Sequence, residues 1–168
     1  MVSSLDDLYK EIILDHYRHP RNRGVVDDPD VAARGHNPLC GDQLELSLRV
    51  QDNLIADVKV IGKGCSISQA SASMMTERVK GRPISEVRAV ISTFKEMLLE
   101  DREMSDEDYE SLGDLESLEG VKGYPVRIKC ALLAWNTLLE ALDMVERRAR
   151  NEDLADGHLP EGEEAVRG

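Results

Sequence analysis

Residues 44–60 constrain this chain more than any other stretch. Leu44, Leu46, Leu48 and Val50 alternate with Glu45, Ser47 and Arg49. After Gln51-Asp52-Asn53 the alternation resumes, with Ala56, Val58 and Val60 set against Asp57 and Lys59. A period of two marks a half-buried strand, and two such runs joined by a short polar turn make a hairpin. Two strands alone are marginal, so a third partner is expected around Arg34–Asn37. The other strong apolar patterns have helical period. The expected fold class is therefore α+β, a small antiparallel sheet of about three strands covered by helices.

The first helix carries Leu5, Leu8, Tyr9, Ile12, Ile13 and Tyr17 on one stripe, with Ser4 as N-cap and Asp6 and Asp7 at the positive end of the dipole. His19-Pro20 ends it, and Arg21–Gly35 reads as a surface loop. A second helix spans Ser66–Lys80, with Ile67, Ala70, Met74 and Val79 on one side among small residues that permit close packing. Gly81 stops it, and Ser85 is expected to cap a third helix that buries Val87, Val90, Ile91, Phe94 and Leu98. The last helix is long, from about Lys129 to Ala149, apolar at Leu132, Leu133, Trp135, Leu138, Leu139, Leu142 and Val145. Between them lies Glu100–Glu119, with ten acids and Arg102 as the one base. It is expected to be a loosely held surface excursion anchored by Met104, Tyr109, Leu112 and Leu115. One domain over 1–150 follows, with 151–168 read as a mobile polar tail.

Charge narrows the function classes. The formal net charge is -12, which argues against non-specific nucleic-acid binding, since that rests on basic patches. No apolar run reaches the about 18 residues of a membrane span, and the acidic start Leu5-Asp6-Asp7 lacks the basic region of a secretion signal. A cytoplasmic protein with no membrane partner is expected. Cys40, Cys65 and Cys130 are then reduced thiols, metal ligands or nucleophiles.

Each cysteine sits at a boundary between elements. Cys40 precedes a strand in Asn37-Pro38-Leu39-Cys40-Gly41-Asp42, Cys65 joins strand to helix in Gly62-Lys63-Gly64-Cys65-Ser66, and Cys130 is expected to open the last helix. A thiol at a helix N-terminus is favoured as thiolate by the dipole. With Asp42 the three sulfurs make four donors, the number tetrahedral zinc takes. There is no Cys-x-x-Cys pair, and spacing alone leaves a shared metal site and separate buried thiols both open. His16 and His19 are expected in surface or capping roles. His36 is a candidate to hydrogen-bond a ligand from beside the Cys40 loop.

At these motifs the chain resembles the U-type iron–sulfur cluster assembly proteins, the IscU/SufU family. The matching pieces are Leu8-Tyr9, Ile13-Leu14-Asp15-His16-Tyr17, His19-Pro20-Arg21-Asn22, the two cysteine loops above with Ile67-Ser68, and Tyr124-Pro125-Val126-Arg127-Ile128-Lys129-Cys130-Ala131. They run in order over about residues 5–148. Two features resemble the SufU branch in particular. Lys129 stands where the better-known scaffolds carry a histidine, and the acidic excursion lengthens the Cys65–Cys130 interval.

The resemblance implies a zinc site of Cys40, Asp42, Cys65 and Cys130. It also implies that the protein accepts persulfide sulfur from a SufS-type, pyridoxal-phosphate-dependent cysteine desulfurase for downstream SUF cluster-assembly proteins. On that reading Cys40, in a glycine-flanked loop, is the sulfur acceptor, so the protein is a sulfurtransferase-like acceptor rather than an independent enzyme. Lys129 is charged and cannot ligate. With Arg127 and Lys63 it is a candidate for offsetting the charge of the centre or meeting the partner. Two alternatives stand beside this: a scaffold that builds and transfers a [2Fe-2S] or [4Fe-4S] cluster on the same cysteines, and a structural zinc module without transfer chemistry.

Overall fold

The structure, a computed structural model, describes residues 4–155 and 165–167. Helix α1 (Ser4–Arg18) is followed by strands β1 (Val31–Asn37), β2 (Asp42–Gln51) and β3 (Leu54–Lys63). Helices α2 (Ser66–Val79), α3 (Ile84–Leu99) and α4 (Asp106–Leu112) come next, then a 3-10 segment (Gly113–Gly123) and helix α5 (Pro125–Ala155). The three antiparallel strands expected from the sequence are present, and a short strand β4 (Ala165–Arg167) pairs in parallel with β1, giving the order β3-β2-β1-β4. Of the tail expected over 151–168, residues 151–155 continue α5, and residues 156–164 and 168 lie outside the described residues.

The β2–β3 hairpin turns on Asp52 and Asn53, both at positive φ (55° and 61°), the conformation a two-residue turn between twisted strands requires. The alternation expected for β3 is corrected by a bulge opposite Arg49/Val50. Its extra residue, Ala56, is half-buried, and Ile55 and Val58 are the side chains that face fully inward. Strand β1 begins at Val31, three residues before the expected start, and its inward residues are Val31, Ala33, Gly35 and Asn37. A Cβ at Gly35 would collide with Thr137 Oγ1 of α5, so glycine is what allows the helix to lie directly on the strand.

Helices α2 and α5 lie on the inner face of the sheet. Buried Ala70, Ser71, Ala72 and Ser73 keep α2 thin on all sides, with Ser71 toward α5 and Ser73 toward α1. The Ser71 hydroxyl donates to the Ala131 carbonyl (2.7 Å) and accepts from Trp135 Nε1 (3.0 Å), so this buried polar group is satisfied and ties the two helices together. Trp135 stacks on Phe94 of α3 at 4.6 Å between centroids. Helix α3 starts at Ile84 with Pro83 at the N-cap position, two residues before the Ser85 cap expected.

Two further expectations are corrected here. His16 is 2% exposed rather than a surface residue. Its Nδ1 pairs with Ser73 Oγ (2.8 Å) and its Nε2 lies 3.5 Å from Asp114, which clasps α1 to α2 and the 3-10 segment. His19, by contrast, is exposed beside Asp15. The acidic stretch is not loosely held. Met104, Leu112, Leu115 and Leu118 are all buried in the common core, as is Val121 just beyond the stretch, and α4 starts with a reciprocal Ser105–Asp108 cap. The acids lie on the solvent side of a segment that its apolar residues pin down.

Candidate metal centre

Asn37, at the end of β1, pairs with Asp42, at the start of β2, so residues 38–41 form a four-residue hairpin loop. The loop is held mainly from its base. Leu39 N–H donates to Asn37 Oδ1 and Cys40 N–H to the Asn37 carbonyl, both at 3.2 Å. Gly41 has φ +70°, where a side chain would be strained. Leu39 at the tip is 65% exposed and Cys40 is half-buried.

The pairing of β2 with β3 brings the second cysteine alongside. Asp42 is fully buried, its Oδ1 accepts the Cys65 N–H (2.8 Å), and its Oδ2 stands 4.0 Å from Cys65 Sγ. A Cβ on Gly64 would collide with the Asp42 carboxylate, so the glycine leaves room for that side chain. Cys65 is the N-cap of α2, its Sγ accepting the Ser68 N–H at 3.5 Å. Here the expected position at a helix start is observed.

Cys130 is different, and the expectation that it opens the last helix is corrected. Helix α5 starts at Pro125, a residue whose fixed φ and missing N–H suit the first helical position. Cys130 therefore lies in the second turn, fully buried, beyond the first-turn amides that would stabilise a thiolate. Its Sγ is 3.1 Å from Cys40 Sγ and 3.9 Å from Asn37 Nδ2. Burial, and then hydrogen bonding with Cys40, Asp42 and Cys65, raise its pKa above that of an ordinary thiol. Without a compensating positive charge the sulfur keeps its proton; a cation reverses that preference.

Donor atoms of Cys40, Asp42 and Cys130 all lie within 4.8 Å of one another, so this group could hold a metal ion. Cys65 stands at its edge, against Asp42. The donor set suits zinc, which takes thiolate and carboxylate ligands in fours. Asp42 adds a second reason. Among the described residues no lysine, arginine or histidine forms an ion pair with this buried carboxylate, and a bound cation would supply the missing charge.

The remaining sequence candidates surround the centre rather than enter it. Lys129 and Arg127 are exposed on α5, and Lys129 borders a groove of about 630 Å³ with Leu39 and Asn136 beside the Cys40 loop. Lys63 and His36 are exposed on the outer face of the sheet, where they line a separate hollow of about 490 Å³. Strand alternation turns His36 away from the sulfurs and Asn37 toward them. Asn37 is thus the site residue that sequence reasoning missed. Extending the alternation of β1 back to Val31 is the signal that would have found it.

The geometry agrees with comparisons to known proteins. Residues 8–151 match the NifU-like N-terminal domain family. The chain is 43% identical to the zinc-dependent sulfurtransferase SufU of Bacillus subtilis, over 81% of this chain and 90% of that protein. It is 37% identical to the iron–sulfur cluster assembly scaffold protein IscU of Streptococcus pyogenes, over 96% and 97% of the two chains. Among solved structures, a putative iron–sulfur cluster assembly scaffold protein for the SUF system from Fervidobacterium islandicum superposes with a TM-score of 0.74 at 33% identity, covering 83% of this chain and 99% of that one. A NifU-like N-terminal protein from Brucella abortus gives 0.76 at 27% identity, covering 87% and 99%.

Proposed function

We propose that this chain, which belongs to the NifU-like N-terminal domain family of IscU- and SufU-type iron–sulfur cluster assembly proteins, is a zinc-dependent sulfur acceptor of a SUF system. Its donor would be a pyridoxal-phosphate-dependent cysteine desulfurase of the SufS type, and its product would go to downstream cluster-assembly proteins. Cys40, Asp42, Cys65 and Cys130 would hold the zinc. The ion supplies positive charge that keeps thiolates deprotonated near neutral pH and has no redox chemistry of its own.

The observation that carries the reading is the inequality of the sulfurs within one donor group. Cys130 is locked inside a helix and fully buried, and Cys65 is fixed as a helix cap. Cys40 rides on a four-residue loop with the exposed Leu39 beside it. In the transfer, the Cys40 sulfur forms a bond to the terminal sulfur of the donor's cysteine persulfide. The donor's own S–S bond breaks, its cysteine leaves as thiolate, and nothing is oxidised or reduced overall. Exposed Tyr124 and Val126 at the start of α5, with Arg127 and Lys129, offer a mixed apolar and basic surface for the donor to meet.

The test is desulfurase turnover with this protein added in zinc-loaded and metal-stripped forms, alongside metal analysis of the purified protein. Stimulation by the zinc form that disappears in Cys40→Ser is the expected result. No stimulation, with iron and sulfide retained after anaerobic purification, would replace this reading with that of a cluster scaffold.

A further inference from the structure

Asn37 is a buried side chain that the transfer chemistry leaves without a role. It is 4% exposed, and burying an amide is costly unless its polar atoms are used. Both ends are in use. Oδ1 accepts the Leu39 N–H at the base of the Cys40 loop, and Nδ2 points at Cys130 Sγ. The loop fixes which way the amide faces, because the Leu39 N–H needs an acceptor there. Among the described residues this is the one side-chain N–H directed at a cysteine sulfur; the donor to Cys65 is the backbone N–H of Ser68.

We propose that Asn37 is a positioning residue for the metal centre, holding the Cys40 loop with its oxygen and orienting the Cys130 sulfur with its N–H. The inference rests on the zinc reading above and deepens it by saying why one sulfur reacts and another stays a ligand. Toward a neutral thiol at 3.9 Å the contact is weak. Toward a metal-bound thiolate it becomes charge-assisted, which draws electron density from Cys130 and lowers its nucleophilicity. Cys40, whose sulfur meets the Cys130 thiol and, among the described residues, no side-chain N–H, has no such restraint. Groups that hydrogen-bond to metal ligands commonly set both ligand orientation and metal affinity.

The variants Asn37→Ser and Asn37→Ala separate the two hands. Serine can still accept the Leu39 N–H but carries no N–H for Cys130. Zinc affinity, measured by competition with a chromophoric chelator, is expected to fall about 10–100-fold in both variants, while the melting temperature of the metal-free protein falls only in Asn37→Ala, which also loses the acceptor for the Leu39 N–H. Alkylation of the zinc-loaded protein, mapped by peptide mass, is expected on Cys40 in the wild type and on both Cys40 and Cys130 in Asn37→Ser. Wild-type affinity with labelling confined to Cys40 in Asn37→Ser overturns the proposal. A readout independent of variant folding uses the wild-type chain loaded with cadmium-113. The Asn37 side-chain amide protons should correlate with the metal through the Cys130 sulfur, and no correlation counts against the contact. These metal readouts stand even if Cys40→Ser leaves sulfur acceptance intact, so the two readings fail separately.

Discussion

Two segments of this chain stand apart from its long helices and strands, the Cys40 loop and the acidic stretch from Glu100 to Glu119, and the fold treats them in opposite ways. The loop is four residues held by hydrogen bonds to Asn37, with Leu39 turned out to solvent. The acidic stretch carries most of its polar groups outward yet drives four apolar side chains into the core. Its Arg78 contacts add to this, the guanidinium donating to the carbonyls of Glu110 and Ser111 at the end of α4. Charge density therefore says little about how firmly a segment is held; the number of apolar side chains it buries decides that. The firm segment is placed to support and the light one to react.

Four substitutions test that contrast, beginning with the largest effect. Cys40→Ser should bring desulfurase stimulation down to the level without added protein while leaving the unfolding midpoint of the metal-free chain where it was; a large loss of stability would mean that the loop is part of the core after all. Leu118→Ala, in the acidic stretch, should do the reverse. It removes a fully buried side chain and should cost about 2–5 kcal/mol in denaturant unfolding, with sulfur acceptance retained below the transition. An unchanged midpoint would restore the picture of a loose excursion.

Gly64→Ala probes the junction between the two behaviours. Its Cβ would displace the Asp42 carboxylate, and zinc affinity by chelator competition should fall on the order of 10–100-fold. Full metal content in this variant would remove Asp42 from the ligand set. Ser105→Ala is the smallest change. Losing the cap of α4 should cost about 1 kcal/mol by thermal or denaturant melting, with no effect on metal content.

Much of this was legible in advance where the signal is local. The alternation of Leu44, Leu46 and Leu48 has the period of a half-buried strand, and the Asp52-Asn53 turn has residues that tolerate positive φ. The small residues of α2 imply the close helix packing observed, and Cys65 at a strand-to-helix junction marks a helix start, as the structure shows. The anchoring of the acidic stretch has a sequence pattern of its own. Leu112, Leu115, Leu118 and Val121 recur every three residues, the period of a 3-10 helix rather than the 3.6 of an α-helix. Helix α5 starts four residues before the expected Lys129, because Pro125 suits the first helical position and is its first residue rather than a lead-in to it.

The sequence by itself determined the α+β class, the hairpin and its turn, the helical cover, and the family to which the three cysteine motifs belong. The first three follow from period and backbone preference, and the family from the resemblance of short motifs, all of which are properties of neighbours in the chain. Only the tertiary structure decided that Asn37 rather than His36 faces the sulfurs, that Cys130 is a buried thiol of the second helical turn, that His16 is a core clasp, and that the acidic stretch is anchored. Each of these depends on which face of one element meets which face of another, and a contact across 93 residues, as between Asn37 and Cys130, leaves no local period to read.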